Sequence, residues 1–325
     1  MLTIRAVAVG RDSVDTTFDA PNPDLSGVRP YITGLVEWLS LAPNAKVNPE
    51  TDAQLKQYTL GTLYEIDYRE RDVQVIQDAF TGAENADVLF CMSTYVGLQA
   101  LKWRENHQPQ LDTPIVVITS DPSQFDGKPN VCGVSALRPQ LASVSIRKFK
   151  KSEANLTKIW LLHRKNYGPS DQAKKRLGSK VPPVELVTVK DTDDPAAAVS
   201  DKRGQVPANE IHGLFVLPAD RFFGWAQEIQ AAADAHGKPG SAMKTFWSTP
   251  DWPTNSYGGY GFPQNVCGRY MAERVASIWA SDLNQVPDPA FITVDPSEIK
   301  LKPAAPLKKK KKKAKKKSAK SKKSK

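Results

Sequence analysis

The chain has 325 residues, 40% hydrophobic and 25% charged, which is enough for two globular lobes of ordinary size. No stretch approaches the ~20 apolar residues of a membrane helix, and three widely spaced cysteines, Cys91, Cys132 and Cys267, argue against a disulfide or thiolate–metal framework. The formal charge of +10 hides a division: residues 308–325 carry thirteen lysines and no acid, so setting them aside leaves −3 for the rest.

Residues 3–10 read as a first strand, with no basic segment, apolar core and cleavage site of a secretory signal before them. This points to a cytoplasmic protein with reduced, buried thiols, or to a periplasmic one if the true start lies upstream. Residues 11–22, with Asp12, Asp15, Asp19 and Pro21, read as a loop. A helix is predicted over about 28–41, where Tyr31, Leu35, Trp38 and Leu39 recur near helical spacing. Residues 43–57 look like a surface insertion, 62–68 like a strand and 72–79 like its helix. Glu65 and Asp67 share one face of that strand, as on a solvated sheet surface rather than in an acid–base pair.

The stretch from Asp87 to Ser135 organises the chain. An apolar run, 87–92, is followed by Ser93 and Thr94 and a helical segment from Tyr95 to about Arg104. A second run, Ile115–Thr119, breaks on Ser120, Asp121 and Pro122, and a third follows at 131–134. Near-continuous β-branched runs separated by a helix are the pattern of buried parallel strands. Ligands of such sheets sit outside the carboxyl ends of the strands, which are occupied here by Ser93, Thr94, Ser120 and Asp121.

Beyond Ser135, residues 137–153 read as a basic helix, 156–163 as a strand, 171–177 as a helix capped by Ser170, and 184–189 as a strand. Residues 191–204 are polar, part helix and part loop. A strand over 211–217 ends on Pro218, Ala219 and Asp220, and a helix over 221–235 stops at Gly237 and Pro239. Residues 242–247 are strand-like, 247–261 aromatic and turn-rich, 263–283 a long helix, and 290–294 a last strand.

The order β-α, repeated on either side of a boundary near 136, predicts an α/β protein: two Rossmann-like lobes with parallel sheets, joined by a hinge, with a disordered C-terminal tail. The expected division is 1–135 with 248–285 in the first lobe, 136–247 with 286–302 in the second, and 303–325 as tail.

The runs ADVLFCMSTYVGLQALK, TPIVVITSDPSQF and NVCGVSA, in that order, resemble the central signature of ABC-transporter substrate-binding proteins of the tryptophan and tyrosine type. IHGLFVLPADRFFGWAQEIQAAADAHGKP and SYGGYGFPQNVCGRYMAERVASIWA resemble that family's second lobe and long late helix. The resemblance spans roughly residues 60–300 and implies a type I periplasmic-binding-protein fold, an amino-acid-like ligand in the cleft, an ABC permease as partner, and no catalysis. The N-terminal loop, the absence of an export signal or lipobox cysteine, and the lysine tail depart from the family.

On this reading Ser93, Thr94, Ser120 and Asp121 form the floor of the first lobe, with helix-end amides for a carboxylate and Asp121 for an ammonium. Their plainer roles are helix caps and an Asp-Pro turn. Asp220, Trp247 and Ser248 follow second-lobe strands and would supply the opposing wall, Trp247 as a stacking face, or else a helix cap and a hinge core residue. Tyr257, in a glycine-rich turn, would either touch ligand or fold the chain back. His107, His163, His212 and His236 lack metal spacing, and His163 and His212 fall on strands as packed residues or strand ends. There is no P-loop, no dinucleotide fingerprint and no legible catalytic triad, so no cofactor is expected. The tail supports a different alternative: a cytoplasmic polyanion- or nucleic-acid-associated protein, the tail touching nucleic acid or an anionic surface and the lobes serving as scaffold.

Overall fold

The computed structural model describes residues 2–10, 34, 58–60, 64–67, 80, 86–107, 112–136, 138–177, 184–190, 193–207, 209–219, 222, 225–234, 243–250, 256–281 and 286–302. The predicted loop at 11–22, the insertion at 43–57, the helix at 72–79, Asp220, His236 and the lysine tail lie outside these residues, as does the helix at 28–41 except for the helical, buried Gly34.

Two sheets carry the chain. The first holds β1 (Leu2–Gly10), β2 (Tyr58–Leu60), β3 (Tyr64–Asp67), β4 (Val88–Cys91), β5 (Ile115–Thr119) and β6 (Val131–Ser135). The long helix α1 (Thr94–His107) joins β4 to β5. The second sheet is laid down as α2 (Arg138–Ser152), β7 (Leu156–Arg164), α3 (Gly168–Leu177), β8 (Val184–Val189), α4 (Pro195–Gly204), β9 (Ile211–Val216), α5 (Ala226–Ala233), β10 (Lys244–Trp247) and β11 (Gly258–Gly261). The chain closes with α6 (Gln264–Ala280), β12 (Phe291–Thr293) and β13 (Lys300–Lys302).

Strand order is β12-β6-β5-β4-β1-β2 in the first sheet, with β3 also on β1, and β13-β11-β10-β9-β7-β8 in the second. All pairs are parallel except β11 with β13. Every residue of β4, β5 and β6 is buried, which is why these segments read as continuous apolar runs. Alternate side chains serve opposite layers. Phe90, Val116 and Val134 pack against Val266, Met271 and Val275 of α6, while Leu89 and Val117 pack against Val96 and Trp103 of α1. Each fully buried Val, Met or Ile contributes about 1.5–3 kcal/mol relative to exposure. In the second sheet Ile159, Leu161, Phe215 and Phe246 meet Phe149 of α2 and Leu177 of α3, and Trp160, Leu162 and Leu214 meet Val199 of α4 and Ile229 of α5. Cys91, Cys132 and Cys267 are buried and form no disulfide among the described residues, and burial raises the Cys132 pKa to about 12.

Helix α6 packs on the first sheet. The segmentation around it differs from the expected one. β11, assigned from the sequence to the first lobe, pairs with β10 in the second sheet, and β12, assigned to the second, pairs with β6 in the first. Between described strands the chain passes from sheet to sheet three times, at β6–α2, β11–α6 and β12–β13. The predicted glycine-rich turn is a strand because its glycines let backbones touch. A Cβ on Gly259 would stand 1.9 Å from the Thr249 carbonyl oxygen.

Candidate functional site

The topology places the switch of strand order between β1 and β4 in the first sheet and between β7 and β9 in the second. Open α/β sheets bind ligands outside the carboxyl ends at such points. In the first lobe those ends carry Ser93 and Thr94 after β4, and Ser120 and Asp121 after β5.

Hydrogen bonds tie three of these four together. The Thr94 and Thr119 hydroxyls lie 2.9 Å apart in a buried setting. The Ser120 amide donates to Thr94 Oγ1 at 3.3 Å and the Asp121 amide to Thr119 Oγ1 at 2.9 Å. Thr94 is 1% exposed, so its hydroxyl braces the wall rather than facing solvent. Ser93 Oγ caps α1 by accepting from the Val96 amide at 3.2 Å, which leaves its own proton free to donate. The first-turn amides of a helix have no intrahelical acceptor, so this helix end favours an anion.

Asp121 is the member that reaches the other lobe. Its Oδ1 accepts from Ser123 Oγ at 2.6 Å. Its Oδ2 accepts from Gln124 Nε2 at 3.2 Å and from Gln172 Nε2 of α3 at 3.4 Å. Gly168, the first residue of α3, comes so close that an added Cβ would meet Asp121 Oδ2 at 3.2 Å. The carboxyl end of β5 and the amino end of α3 therefore face each other.

On the second lobe, Ser170 Oγ donates to the Pro218 carbonyl at 2.8 Å and links the segments after β7 and β9. His163, on β7, is 3% exposed, with Nε2 2.7 Å from Asp171 Oδ1 and Nδ1 buried without a partner among the described residues. His212 is satisfied on both sides, by Trp160 Nε1 at 3.1 Å and Glu210 Oε2 at 2.8 Å. Both histidines are the packed strand residues that the sequence suggested.

The remaining expected site residues divide. Ser248 follows β10 at its carboxyl end and is buried. Trp247 is fully buried in the second-lobe core with Trp160, Leu162 and Val216, so it does not offer an open stacking face. Tyr257 precedes β11 and therefore stands at the amino ends of the strands, away from the Asp121 face. Its hydroxyl bonds Glu153 Oε2 at 3.0 Å beyond α2, and burial together with that carboxylate raises its pKa to about 12. Gln172, Gly168 and His163 lie where the sequence reading named no ligand residue. The helix begins at Gly168, two residues before the expected cap Ser170, whose hydroxyl bonds the Pro218 carbonyl instead, and nothing in the sequence marks Gln172 itself.

Among the described residues no group of His, Cys, Asp and Glu is arranged to hold a metal ion, and no helix is long and apolar enough to cross a membrane.

No family model matches the chain. No curated protein matches it either. Solved structures do. An ABC domain in complex with L-Trp from Streptococcus pneumonia superposes with TM-score 0.59 at 13% identity, over 92% of this chain and 91% of that one. An arabinose binding protein from Geobacillus stearothermophilus gives TM-score 0.55 at 11% identity, over 92% and 96%. A LacI family transcriptional regulator from Arthrobacter in complex with lactose gives 0.56 at 11%, over 93% and 97%. At such identities the likeness shows the fold: a two-lobed α/β protein of the type I periplasmic-binding-protein kind.

Proposed function

We propose that this chain, which has a type I periplasmic-binding-protein fold, binds a small amino-acid-like molecule between its lobes without transforming it. The observation that carries the reading is the position of Asp121. It extends from a floor of hydroxyls at the carboxyl ends of β4 and β5 and touches α3 of the opposite lobe. Among the described residues its Oδ2 is engaged only by amide donors, at 3.2 and 3.4 Å. A ligand ammonium at the ~2.8 Å of a charge-assisted bond would outcompete them. A carboxylate on the same ligand fits the capped amino end of α1 beside Ser93 and Thr94. On this reading the buried Ser120 and Ser248 would add neutral hydroxyls at the carboxyl ends of β5 and β10, with the buried Trp247 behind them.

The similar structures include both an L-Trp complex and sugar binders. Asp121 beside a helix amino end favours a zwitterion over a neutral sugar. An ABC permease would be the partner if the ligand is cargo. The test is a thermal-shift and calorimetric screen with amino acids and sugars on the intact chain. Saturable binding of an amino acid supports the reading. Sugar binding in its place, or turnover of the ligand, contradicts it.

The thirteen tail lysines support a second, separable activity: weak, sequence-independent contact with nucleic acid. The tail has no aromatic side chain for base stacking. A chain with its tail lysines replaced by glutamine should lose most of that contact and keep its small-molecule affinity.

A further inference from the structure

The part of α3 that meets Asp121 is tied to a buried histidine. His163 is the last residue but one of β7 and is 3% exposed. Its Nε2 stands 2.7 Å from Oδ1 of Asp171, in the first turn of α3, and its Nδ1 is buried without a partner among the described residues. Residues on either side of Asp171 touch the other lobe. Gln172 Nε2 donates to Asp121 Oδ2 at 3.4 Å, and a Cβ added to Gly168 would meet the same oxygen at 3.2 Å. A line of contacts therefore runs from His163 through Asp171 and Gln172 to Asp121. An ionised carboxylate only accepts, so Nε2 carries the ring proton and Nδ1 is a bare lone pair.

We propose that His163 is a proton-sensitive switch for the contact between the lobes: a second ring proton displaces the imidazole, carries the amino end of α3 with it, and parts Gln172 from Asp121. The second proton must go to Nδ1, where it creates a buried donor that the described residues leave without an acceptor. Such a donor is costly, so the ring moves, and its anchor is Asp171 on α3. The charges on the surrounding elements leave Asp171 as the bonded partner. On β9, between Ile211 and Val216, the titratable side chain is His212, which is engaged by Trp160 and Glu210. On β8, Thr188 is the register partner of His163, and Lys190 beyond that strand is exposed. Arg164 stacks on the Tyr167 ring at 4.5 Å, and Tyr167 packs in the opposite layer with Trp160 and Leu162. Lys174 of α3 is exposed. The buried Arg138 opens α2, which packs with α3 in one cluster. The switch acts on the face assigned to the ligand, and its functional meaning rests on that reading, but the contact it governs exists without a ligand.

The test is nitrogen-resolved NMR of the full-length, ligand-free chain, following imidazole rings and glutamine side-chain amides between about pH 8 and pH 5.5, the range in which histidines change charge and most carboxylates do not. The His163 ring is identified by its absence from His163→Gln, and the Gln172 amide by its absence from Gln172→Asn. Glutamine at 163 still offers an N–H to Asp171 and takes up no proton. Near pH 8 the wild-type ring is expected to be protonated on Nε2 alone. On acidification the Gln172 amide should shift with the same midpoint as the His163 ring, and in His163→Gln it should stay still. A ring protonated on Nδ1 near pH 8, or a ring that takes up no second proton over the range, overturns the proposal. So does a ring that titrates while Gln172 stays still, or a Gln172 shift that survives in His163→Gln, which would place its origin in another group. If His163→Gln does not fold, the tautomer and the shared midpoint are read from wild type alone, with the ring then assigned through Asp171→Asn. No ligand is added, so the amino-acid screen and this titration succeed or fail separately.

Discussion

Gln172 of the second lobe donates a 3.4 Å hydrogen bond to Asp121 of the first, and Asp121 is anchored to its own lobe by Ser123 at 2.6 Å. The interlobe bond is the longer of the two, so on the proposed function a ligand at this face would displace Gln172 before it disturbed Asp121. Asp121→Ala is expected to weaken ligand binding by about 1–3 kcal/mol, since it leaves a polar group of the ligand unpaired. Gln172→Ala should cost less, or strengthen binding by removing a competitor for Oδ2. Calorimetry on both variants reads the difference, and the melting temperature of each should stay near wild type.

Thr94 has a structural duty. Its hydroxyl meets that of Thr119 and accepts from the Ser120 amide, all in a buried setting. Thr94→Val keeps the shape and leaves the Ser120 amide without its acceptor. Chemical denaturation should show a loss of about 1–3 kcal/mol. A variant as stable as wild type would mean that the network does not brace the floor.

Tyr257 gives a prediction in pH. Burial and its bond to Glu153 raise its folded-state pKa to about 12, above the ~10 of an ordinary tyrosine. An acid with a raised folded pKa binds its proton more tightly when folded. The stabilisation is therefore fully present below about pH 10 and is lost as pH rises towards 12. Tyr257→Phe should lack this pH-dependent part and leave ligand affinity unchanged, because Tyr257 lies at the pole away from Asp121. Ultraviolet titration of tyrosinate in the two proteins checks it.

Gly259→Ala forces a methyl group to 1.9 Å from the Thr249 carbonyl oxygen. Backbone cannot yield there as the end of a flexible side chain can. A destabilisation on the order of 1–3 kcal/mol or more is expected, read as a lowered denaturation midpoint.

The same glycines explain what the sequence left hidden. Strands β4, β5 and β6 were legible because every side chain is buried and apolar, and α6 because its apolar face repeats at helical spacing. β11 is nearly all glycine and has no side-chain period to read. β12 and β13 are three-residue strands with no buried residue, so pairing alone reveals them. This is why the expected segmentation misplaced β11 and β12. At the site, Ser93, Thr94, Ser120 and Asp121 were legible as the residues that end parallel strands. Trp247 was not, because its burial arises from packing in the second-lobe core with residues distant in sequence, among them Trp160, Val199 and Ile229. Tyr257 was misleading because a turn before a strand and a turn after one look alike in sequence, and only the second stands at the carboxyl ends where the proposed site lies. Gln172 is a neutral residue within α3, important only because Asp121 of the other sheet reaches it.

The most direct test of ligand binding at the interlobe face is calorimetric titration of wild type and Asp121→Ala with the amino acid that gives the largest thermal shift. At a ligand concentration of about one hundred times Kd, wild type should gain roughly 2.7 kcal/mol of stability. Saturation at one ligand per chain, with affinity reduced about tenfold or more in Asp121→Ala, is the predicted result. Equal affinity in the two proteins, at unchanged melting temperature, would contradict it and place the ligand elsewhere.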